Sequence, residues 1–339
     1  MQNWVNKIWY QGHWAKWLLV PLSLIFWFIS IIRRSLFRLG LKQQTRVSVP
    51  VIVVGNITAG GSGKTPTVIH LIELLRANGY KPGVVSRGYG GSASGVMLVE
   101  PSSEPSLVGD EPALIAMRTK APMAVGSKRV QAAKLLLANH DVDVIISDDG
   151  MQHYALARDI EIALVDGDRR YGNEWLIPAG PLREGTSRLE SVDFIINNGG
   201  PAQDGEALMT LAPLKPAAVV SLAANMPKNV QAECFDKQQP ICAIAGIGNP
   251  QRFFDSLVNQ GFNLTRTQAF DDHQAYSAEQ LQGFSQDTAL LMTEKDAVKC
   301  RAFAQQHWWY LPVNAKLTAE FDQALLSRLQ QAVDKIKEA

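Results

Sequence analysis

Apolar and polar positions along this chain fall into two regimes. From Val49 onward, short apolar runs alternate with stretches of helical periodicity, whereas the first 46 residues hold one long uncharged run. "VPVIVVGN" has the unbroken apolar character of a parallel strand buried on both faces. "TPTVIHLIELLRANGY" returns its apolar residues at helical spacing and stops near Gly79. The alternation continues with a strand and glycine-rich turn in "KPGVVSRGYGG", a helix in "SKRVQAAKLLLANH", and a strand ending on two acids in "VDVIISDDG". "IEIALVD" and "SVDFIINNG" read as further strands. Beyond residue 236, "PICAIAGIGNPQRFFDSLVNQGF" reads as strand, turn and helix, "TALLMTEKDAVK" holds another strand, and Ala319 to Glu338 has helical periodicity. This order predicts an α/β protein with a mainly parallel sheet flanked by helices. The expected division is an N-terminal segment, 1–46, a core, 47–235, and a smaller C-terminal α/β subdomain, 236–339. "SASGVMLVEPSSEPSLVGDEP", rich in Ser, Gly and Pro, is expected to be the least ordered piece.

The N-terminal run, "WLLVPLSLIFWFISII", is sixteen uncharged residues from Trp17 to Ile32. That is short of the roughly 20 that cross a hydrocarbon core. No small-x-small cleavage site follows, and "RRSLFR" comes next, so a signal peptide is not expected. Two membrane readings remain open: a single span, or insertion into one leaflet with the helix in the interface. A buried core helix is the soluble alternative. Charge favours lipid. Residues 1–46 carry seven basic residues and no acid, leaving 26 basic against 32 acidic residues in the rest of the chain. Five of the eight tryptophans, at 4, 9, 14, 17 and 27, lie there too. Arginine attracts anionic headgroups and indole settles at the interface. The heavier positive charge follows the run, which places the remainder on the cytoplasmic side. Cys234, Cys242 and Cys300 form no CxxC pair, which fits buried thiols in a reducing compartment rather than a zinc site or disulfide framework.

The chemistry concentrates in "GNITAGGSGKTPT". The general phosphate-loop pattern is G-x-x-x-x-G-K-[ST]. Gly63, Lys64 and Thr65 fit it, while Thr58 stands where the first glycine belongs and Gly60 and Gly61 supply flexibility further on. A strand before and a helix after are the context the motif needs. Thr58, Ala59, Gly60, Gly61, Ser62 and Gly63 would present backbone N–H groups to phosphate at the helix N-terminus. Lys64 would reach the β- and γ-phosphates, and the Thr65 hydroxyl would bind Mg2+. Asp148 and Asp149 close the strand in "VDVIISDDG", at the carboxyl edge where open α/β sheets bind ligands; they are metal candidates, with an Asx turn at Gly150 as the alternative. Gln152 and His153 follow at the same edge. "TEKD" places its lysine third, so it fails as the guanine-reading [NT]-K-x-D. "GIGNP" is half a dinucleotide fingerprint or simply a tight turn into a helix. Arg87, Arg129 and Arg183 could serve an anionic co-substrate or be ordinary solvated or paired arginines.

Taken in order, "GNITAGGSGKTPT", "SRGYGG", "VGDEP", "DDGMQH", "PAGPLRE" and "TEKDAVK", behind a Trp-rich apolar segment, resemble the tetraacyldisaccharide 4'-kinases. The resemblance runs from Trp9 to about Lys299. It implies a P-loop NTPase-like fold, ATP and Mg2+ as cofactors, and transfer of phosphate to an acylated glucosamine disaccharide at the cytoplasmic face of the inner membrane. It points to Asp110 as catalytic base, with His273 of "FDDH" as the partner that would orient it and could take up the proton, and to Glu184 near the metal beside Thr65, Asp148 and Asp149; Lys64 and Arg129 are the further catalytic candidates. The residues alone leave other readings open. Asp110 could cap a helix with Pro112 early in it, His273 could be a solvated loop residue, and Glu184 could pair with Arg183 or Arg188. No nucleic-acid ligand and no obligate protein partner is inferred. A nucleotide-driven switch would need neither the Trp-rich segment nor an acceptor site. A soluble kinase would use residues 17–32 as a core helix.

Overall fold

The computed structural model describes residues 2–222, 235–286 and 288–338. Five successive residues of β1 (Val51–Gly55) are buried, and that strand lies at the centre of a nine-stranded sheet. With it run β2 (Pro82–Ser86), β3 (Val96–Val99), β4 (Met123–Gly126), β5 (Val144–Asp148), β6 (Ile160–Asp166), β7 (Phe194–Asn198) and β8 (Glu206–Pro213). A second sheet holds β9 (Ala217–Ala218), β10 (Ile241–Ala245), β11 (Leu264–Ala269), β12 (Ala289–Thr293) and β13 (Trp308–Leu311) in the order β11-β10-β12-β13-β9. The chain then returns: β14 (Val313–Lys316) pairs antiparallel with β8 and completes the first sheet, in the order β14-β8-β7-β6-β1-β5-β2-β4-β3. The pairings inside both sheets are parallel, and the antiparallel ones, β3–β4, β8–β14 and β9–β13, lie at sheet edges.

Two helices, α1 (Gln2–Tyr10) and α2 (Lys16–Arg38), precede the first sheet, and α3 (Lys64–Ala77) follows β1. A single turn α4 (Pro105–Val108) leads into α5 (Asp110–Thr119); α6 (Arg129–Asn139) follows β4. In the second unit, α7 (Pro250–Asn259), α8 (Ala278–Ser285) and α9 (Glu294–Cys300) flank the sheet. The last helix, α10 (Ala319–Lys337), carries Phe321, Leu325 and Leu329 into the same apolar cluster as Ile52, Leu71 and Val84. Burying side chains of that size contributes about 1.5–3 kcal/mol each. That binds α10 to the first sheet.

The predicted strands and helices are largely in place, but two expectations change. Residues 313–337 pack on the first sheet rather than on the C-terminal unit, and β9 joins the second sheet although it precedes residue 236. The boundary is thus crossed twice, which no local pattern signals. The stretch expected to be least ordered holds β3, α4 and the start of α5, because its Ser and Pro residues make turns held by the backbone. Ser92 and Ala93 donate backbone N–H groups to the carbonyls of Ser106 and Leu107, at 2.9 and 3.0 Å. Cys242 and Cys300 are buried free thiols, as expected; Cys234 lies outside the described residues.

Helix α2 is docked on the core along its length, yet most of it faces outward. The Trp17 ring meets Trp175 edge-on. Ser23, buried inside this apolar helix, donates to the Leu176 carbonyl at 2.7 Å and accepts from the Ala179 N–H at 2.9 Å. Arg33 and Arg34 reach the Gln152 carbonyl and the Ser191 hydroxyl, and Phe37 packs on Tyr154. Leu18, Leu22, Ile25, Phe28 and Ile32 stay exposed. Residues 17–32 are thus not a buried core helix: only 6% of the apolar window is buried.

Candidate active site

At the carboxyl edge of the first sheet, β1 runs into the phosphate loop and α3 begins at Lys64 with Gly63 as its N-cap. Thr58 has no need of glycine, for a local reason. Its backbone bridges to Leu182, and the Ala59 N–H is donated to the Pro181 carbonyl at 2.7 Å, so these two residues brace the loop. The sharp reversal falls instead on Gly60, whose φ of 116° favours glycine. Thr58 and Ala59 are expected among the phosphate-binding residues, but the Ala59 N–H is directed away, to the Pro181 carbonyl. Asn56, overlooked in the sequence, holds the rest. Its side chain donates to the Gly60 carbonyl at 3.4 Å and accepts from Lys64 Nζ at 3.3 Å. Asn198 donates to the Ser62 carbonyl from β7, at 3.1 Å.

Beside the loop, Lys64 Nζ lies 3.6 Å from Asp149, and Arg183 clasps the same carboxylate with both contacts at 3.1 Å. Burial would raise the Asp149 carboxyl, but Lys64 and Arg183 outweigh it and hold it below the usual carboxylate range. Asp149 also takes a left-handed φ of 47°, the kind of strain that tight, over-determined sites retain. Asp148 is different. It accepts from Ser86 at 3.1 Å on one oxygen, while the other, Oδ1, is buried without a partner. Burial, with Glu111 and Asp149 nearby, pushes this carboxyl up to about 7. A buried carboxylate oxygen with no donor is costly unless a cation completes it.

Arg129 opens α6 and is 2% exposed. It donates to the Gly126 and Asp148 carbonyls at 2.8 and 3.2 Å, and its Nε has no protein partner. Burial pulls it down to about 10. Glu184 is buried, with one oxygen taken by Gln152 at 3.0 Å, the other by the Tyr154 hydroxyl, and Arg188 3.8 Å away. Of its two expected alternatives, the ion pair with Arg188 is formed, although Glu184 also lines the cavity. Burial and the Glu184 charge push the Tyr154 phenol up to about 12.

His273 stands on the facing wall, and behind it Asp110 is buried. Asp110 does not cap its helix: Gly109 occupies that position, and Asp110 is the first residue of α5. Its Oδ2 meets His273 Nδ1 at 3.1 Å, across 163 residues of sequence. His273 has a left-handed φ of 62° and lies edge-on to Tyr89, 4.9 Å between ring centroids. The loops "VGDEP" and "FDDH" therefore meet as a pair, one from each sheet. Contacts between the two units keep them there. Arg118 pairs with Glu294 at 2.6 Å, and Arg301 gives three hydrogen bonds of 2.7 to 3.2 Å to the carbonyls of Pro101, Ser102 and Ser103. The "GIGNP" turn takes part as well: Gly248 packs against Gly61 of the phosphate loop, and its carbonyl accepts from Arg169 at 2.9 Å. Gly60 to Thr65 of the phosphate loop, Arg129, Asp149, Arg183, Glu184 and His273 line one cavity of about 1240 Å³, with Asp110 and Asp148 just behind that lining, and Phe26, Ile29 and Arg33 of α2 form part of its wall.

The family model for tetraacyldisaccharide-1-P 4'-kinase matches residues 15–330. The chain belongs to that family. A tetraacyldisaccharide 4'-kinase of Shewanella frigidimarina (strain NCIMB 400) is 65% identical over 331 residues, covering 98% of this chain and 96% of the relative. Another, from Shewanella sp. (strain W3-18-1), is 60% identical over 333 residues, with 98% and 97% covered. Among solved structures, LpxK from Aquifex aeolicus, crystallised in complex with ATP, superposes with a TM-score of 0.76 at 26% identity, covering 93% of this chain and 99% of that one. Membership extends over both sheets and the apolar helix, so these parts belong to one kinase fold. Sequence reading missed Asn56, Glu111 and Lys295 in the site. Asn56 and Glu111 lie inside the quoted "GNITAGGSGKTPT" and "VGDEP", and Lys295 inside "TEKDAVK", without any signal of their own there.

Proposed function

We propose that this protein transfers the γ-phosphate of ATP to the 4'-hydroxyl of a tetraacyldisaccharide 1-phosphate, giving the 1,4'-bisphosphate. The observation that carries the reading is the shared cavity: the phosphate loop, His273 with Asp110 bonded to it, and the apolar helix α2 meet there. A machine that only hydrolysed nucleotide would need no lipid-compatible wall beside its phosphate loop.

The residues fit the cofactors. Gly60 to Thr65 form the N-terminus of α3, where unpaired N–H groups favour phosphate, and Lys64 adds a point charge. Thr65, Asp148 and Asp149 would hold Mg2+, which supplies charge neutralisation on the phosphates when bound. The unpartnered Asp148 oxygen supports this, and Mg2+ characteristically takes one or two carboxylates plus phosphate oxygens. Glu184 stands behind this set, orienting Gln152. Arg129, with a free buried Nε, adds positive charge where the phosphoryl group passes.

Asp110 is the base. As the acceptor oxygen gives its electron pair to phosphorus and the bond to the departing diphosphate breaks, the hydroxyl proton goes to the Asp110 carboxylate. An ordinary aspartate, with a pKa of about 3.9, is a weak base for an alcohol, so it acts late, as the new bond forms. His273 holds it in place.

The exposed face of α2 lies on the lipid side. Because the helix is docked along its length, it meets the cytoplasmic leaflet of the inner membrane from one side, with Arg33, Arg34 and Arg38 near headgroups. Purified protein incubated with labelled ATP, Mg2+ and the monophosphorylated tetraacyl disaccharide should yield labelled bisphosphate on thin-layer chromatography. Release of inorganic phosphate without labelled lipid would overturn the kinase reading. Replacing Leu18, Leu22, Ile25 and Phe28 together by Gln should abolish flotation with anionic vesicles and raise the lipid KM at least about tenfold, leaving the ATP KM within about twofold; burial of each chain in lipid is otherwise favourable by about 1.5–3 kcal/mol. Undiminished flotation would remove α2 from the membrane.

A further inference from the structure

We propose that Lys295 fixes the tautomer of His273, so that His273 acts as a hydrogen-bond donor to the base and not as its proton store. The inference rests on the reading of Asp110 as base. Lys295 lies in α9, at the seam between the two sheets. Its ammonium donates to Glu111 Oε1 at 3.0 Å and to Asp272 Oδ1 at 2.9 Å, and its remaining direction faces His273 Nε2 at 3.4 Å.

An ammonium has three N–H donors and no lone pair. The ring nitrogen facing it therefore carries the lone pair, because an N–H there would point at a cation. A neutral imidazole has one proton, so it resides on Nδ1, the atom 3.1 Å from Asp110 Oδ2. The pair is thus Asp110 carboxylate accepting from His273 Nδ1–H. In this state Nδ1 has no lone pair for the proton that Asp110 takes from the acceptor. Asp110 keeps that proton until product leaves, and His273 fixes which carboxylate oxygen is free for the sugar.

The other groups around the ring agree. Asp110 and Glu111 face it from α5, Asp272 from its own loop at 3.8 Å from Nε2, and the Tyr89 phenol ring from the loop after β2. Lys299, one turn further along α9, is directed to Asp296 at 2.7 Å and to the Gln274 carbonyl. Lys295 is then the one cation in contact with the ring among the described residues. Burial works against its charge, but Glu111 and Asp272 outweigh burial and hold the ammonium charged well above the usual lysine range. Without it, three carboxylates would surround His273 uncompensated and favour imidazolium. Imidazolium draws electron density from Asp110 and weakens the base.

The test is 15N NMR of histidine-labelled full-length protein in lipid nanodiscs, with His273 assigned through His273→Gln, combined with kcat as a function of pH. In the unsubstituted protein, His273 should show an unprotonated Nε2 and a protonated Nδ1 at pH 8. In Lys295→Met, the acid limb of kcat should move up by about one pH unit, a roughly tenfold loss below the limb and a much smaller one above it, with the ATP KM within about twofold. Lys295→Arg, which keeps a donor-only cation, should restore most of the limb. A protonated Nε2 in the unsubstituted protein, or an acid limb unmoved by Lys295→Met, would overturn the proposal; a loss uniform across pH would reduce Lys295 to a structural tie and overturn it too. The reading of the base fails separately, if Asp110→Ala and His273→Ala both retain full kcat.

Discussion

Lys64 meets the side chain of Asn56 eight residues away, on the same strand–loop–helix unit, whereas Asp110 meets His273 across 163 residues and two sheets. Lys64 and His273 line the same cavity. The phosphate loop is tied down mostly by its own neighbours: Asn56 inside, residues 181–183 alongside, and Asn198 from β7. The base pair depends on how the second sheet docks, through Arg118, Lys295 and Arg301. The phosphate loop is thus held mainly within one unit, with Gly248 of the second touching it, whereas the Asp110–His273 pair exists only at the joint between two. A molecule whose second unit is displaced should lose the Asp110–His273 contact entirely and nucleotide binding only in part.

Removing the Lys64 charge should show the largest effect. Lys64→Ala is expected to cut kcat by about 10³-fold or more, since a preorganised cation at the transferred phosphate is worth that much. Melting should stay within a few degrees of the unsubstituted protein. Turnover near normal would remove the loop from the chemistry. Next, Asp110→Ala and His273→Ala should each cost about 10²-fold in kcat, with ATP affinity nearly unchanged, as general base catalysis supplies that range. The double variant should be scarcely worse than the poorer single one. Losses that multiply would mean two independent contributors, and the contrast between a local and an assembled site would lose its second half.

A smaller effect tests the metal side of the loop. Asp148→Asn should raise the Mg2+ needed for half-maximal rate at least about tenfold. In chelator, the same variant should melt above the unsubstituted protein, because it removes a buried charge with an unpartnered oxygen, by roughly 1 kcal/mol or more. Equal Mg2+ titrations would take Asp148 out of the site. The smallest expected change links the two regions. A Cβ at Gly248 would come 2.6 Å from the Gly61 N, so Gly248→Ala should displace the phosphate loop from the second unit's side. An ATP KM raised about threefold to tenfold, with kcat less affected, would show the units in contact there; about tenfold is only 1.4 kcal/mol. An unchanged KM would mean the loop ignores its neighbour.

Where the sequence could be read, the reason was locality. The phosphate loop announces itself because strand, glycines, Lys64 and Thr65 are contiguous and each has one physical task. Asp148 and Asp149 at the end of β5 follow from the apolar run before them. The apolar helix was legible from Trp17–Ile32 and its one-sided charge. Thr58 shows the limit even here: it departs from the glycine pattern because its backbone is paired with Leu182, a partner more than a hundred residues on.

By itself, then, the sequence determined an α/β chain with a phosphate loop, two acids beside it and a long apolar helix, since these depend on spacing within single elements. The tertiary structure alone decided that β14 and α10 return to the first sheet, that α2 is docked along its length by a buried Ser23, and that Glu184 is taken up by Gln152, Tyr154 and Arg188. It also decided that Lys295, from a motif that fails as a nucleotide reader, stands between Glu111, Asp272 and His273. The physical reason is common to all of these. Hydrogen bonds and ion pairs act over about 3 Å, and which distant residues come that close is settled by how apolar faces pack, not by their order along the chain.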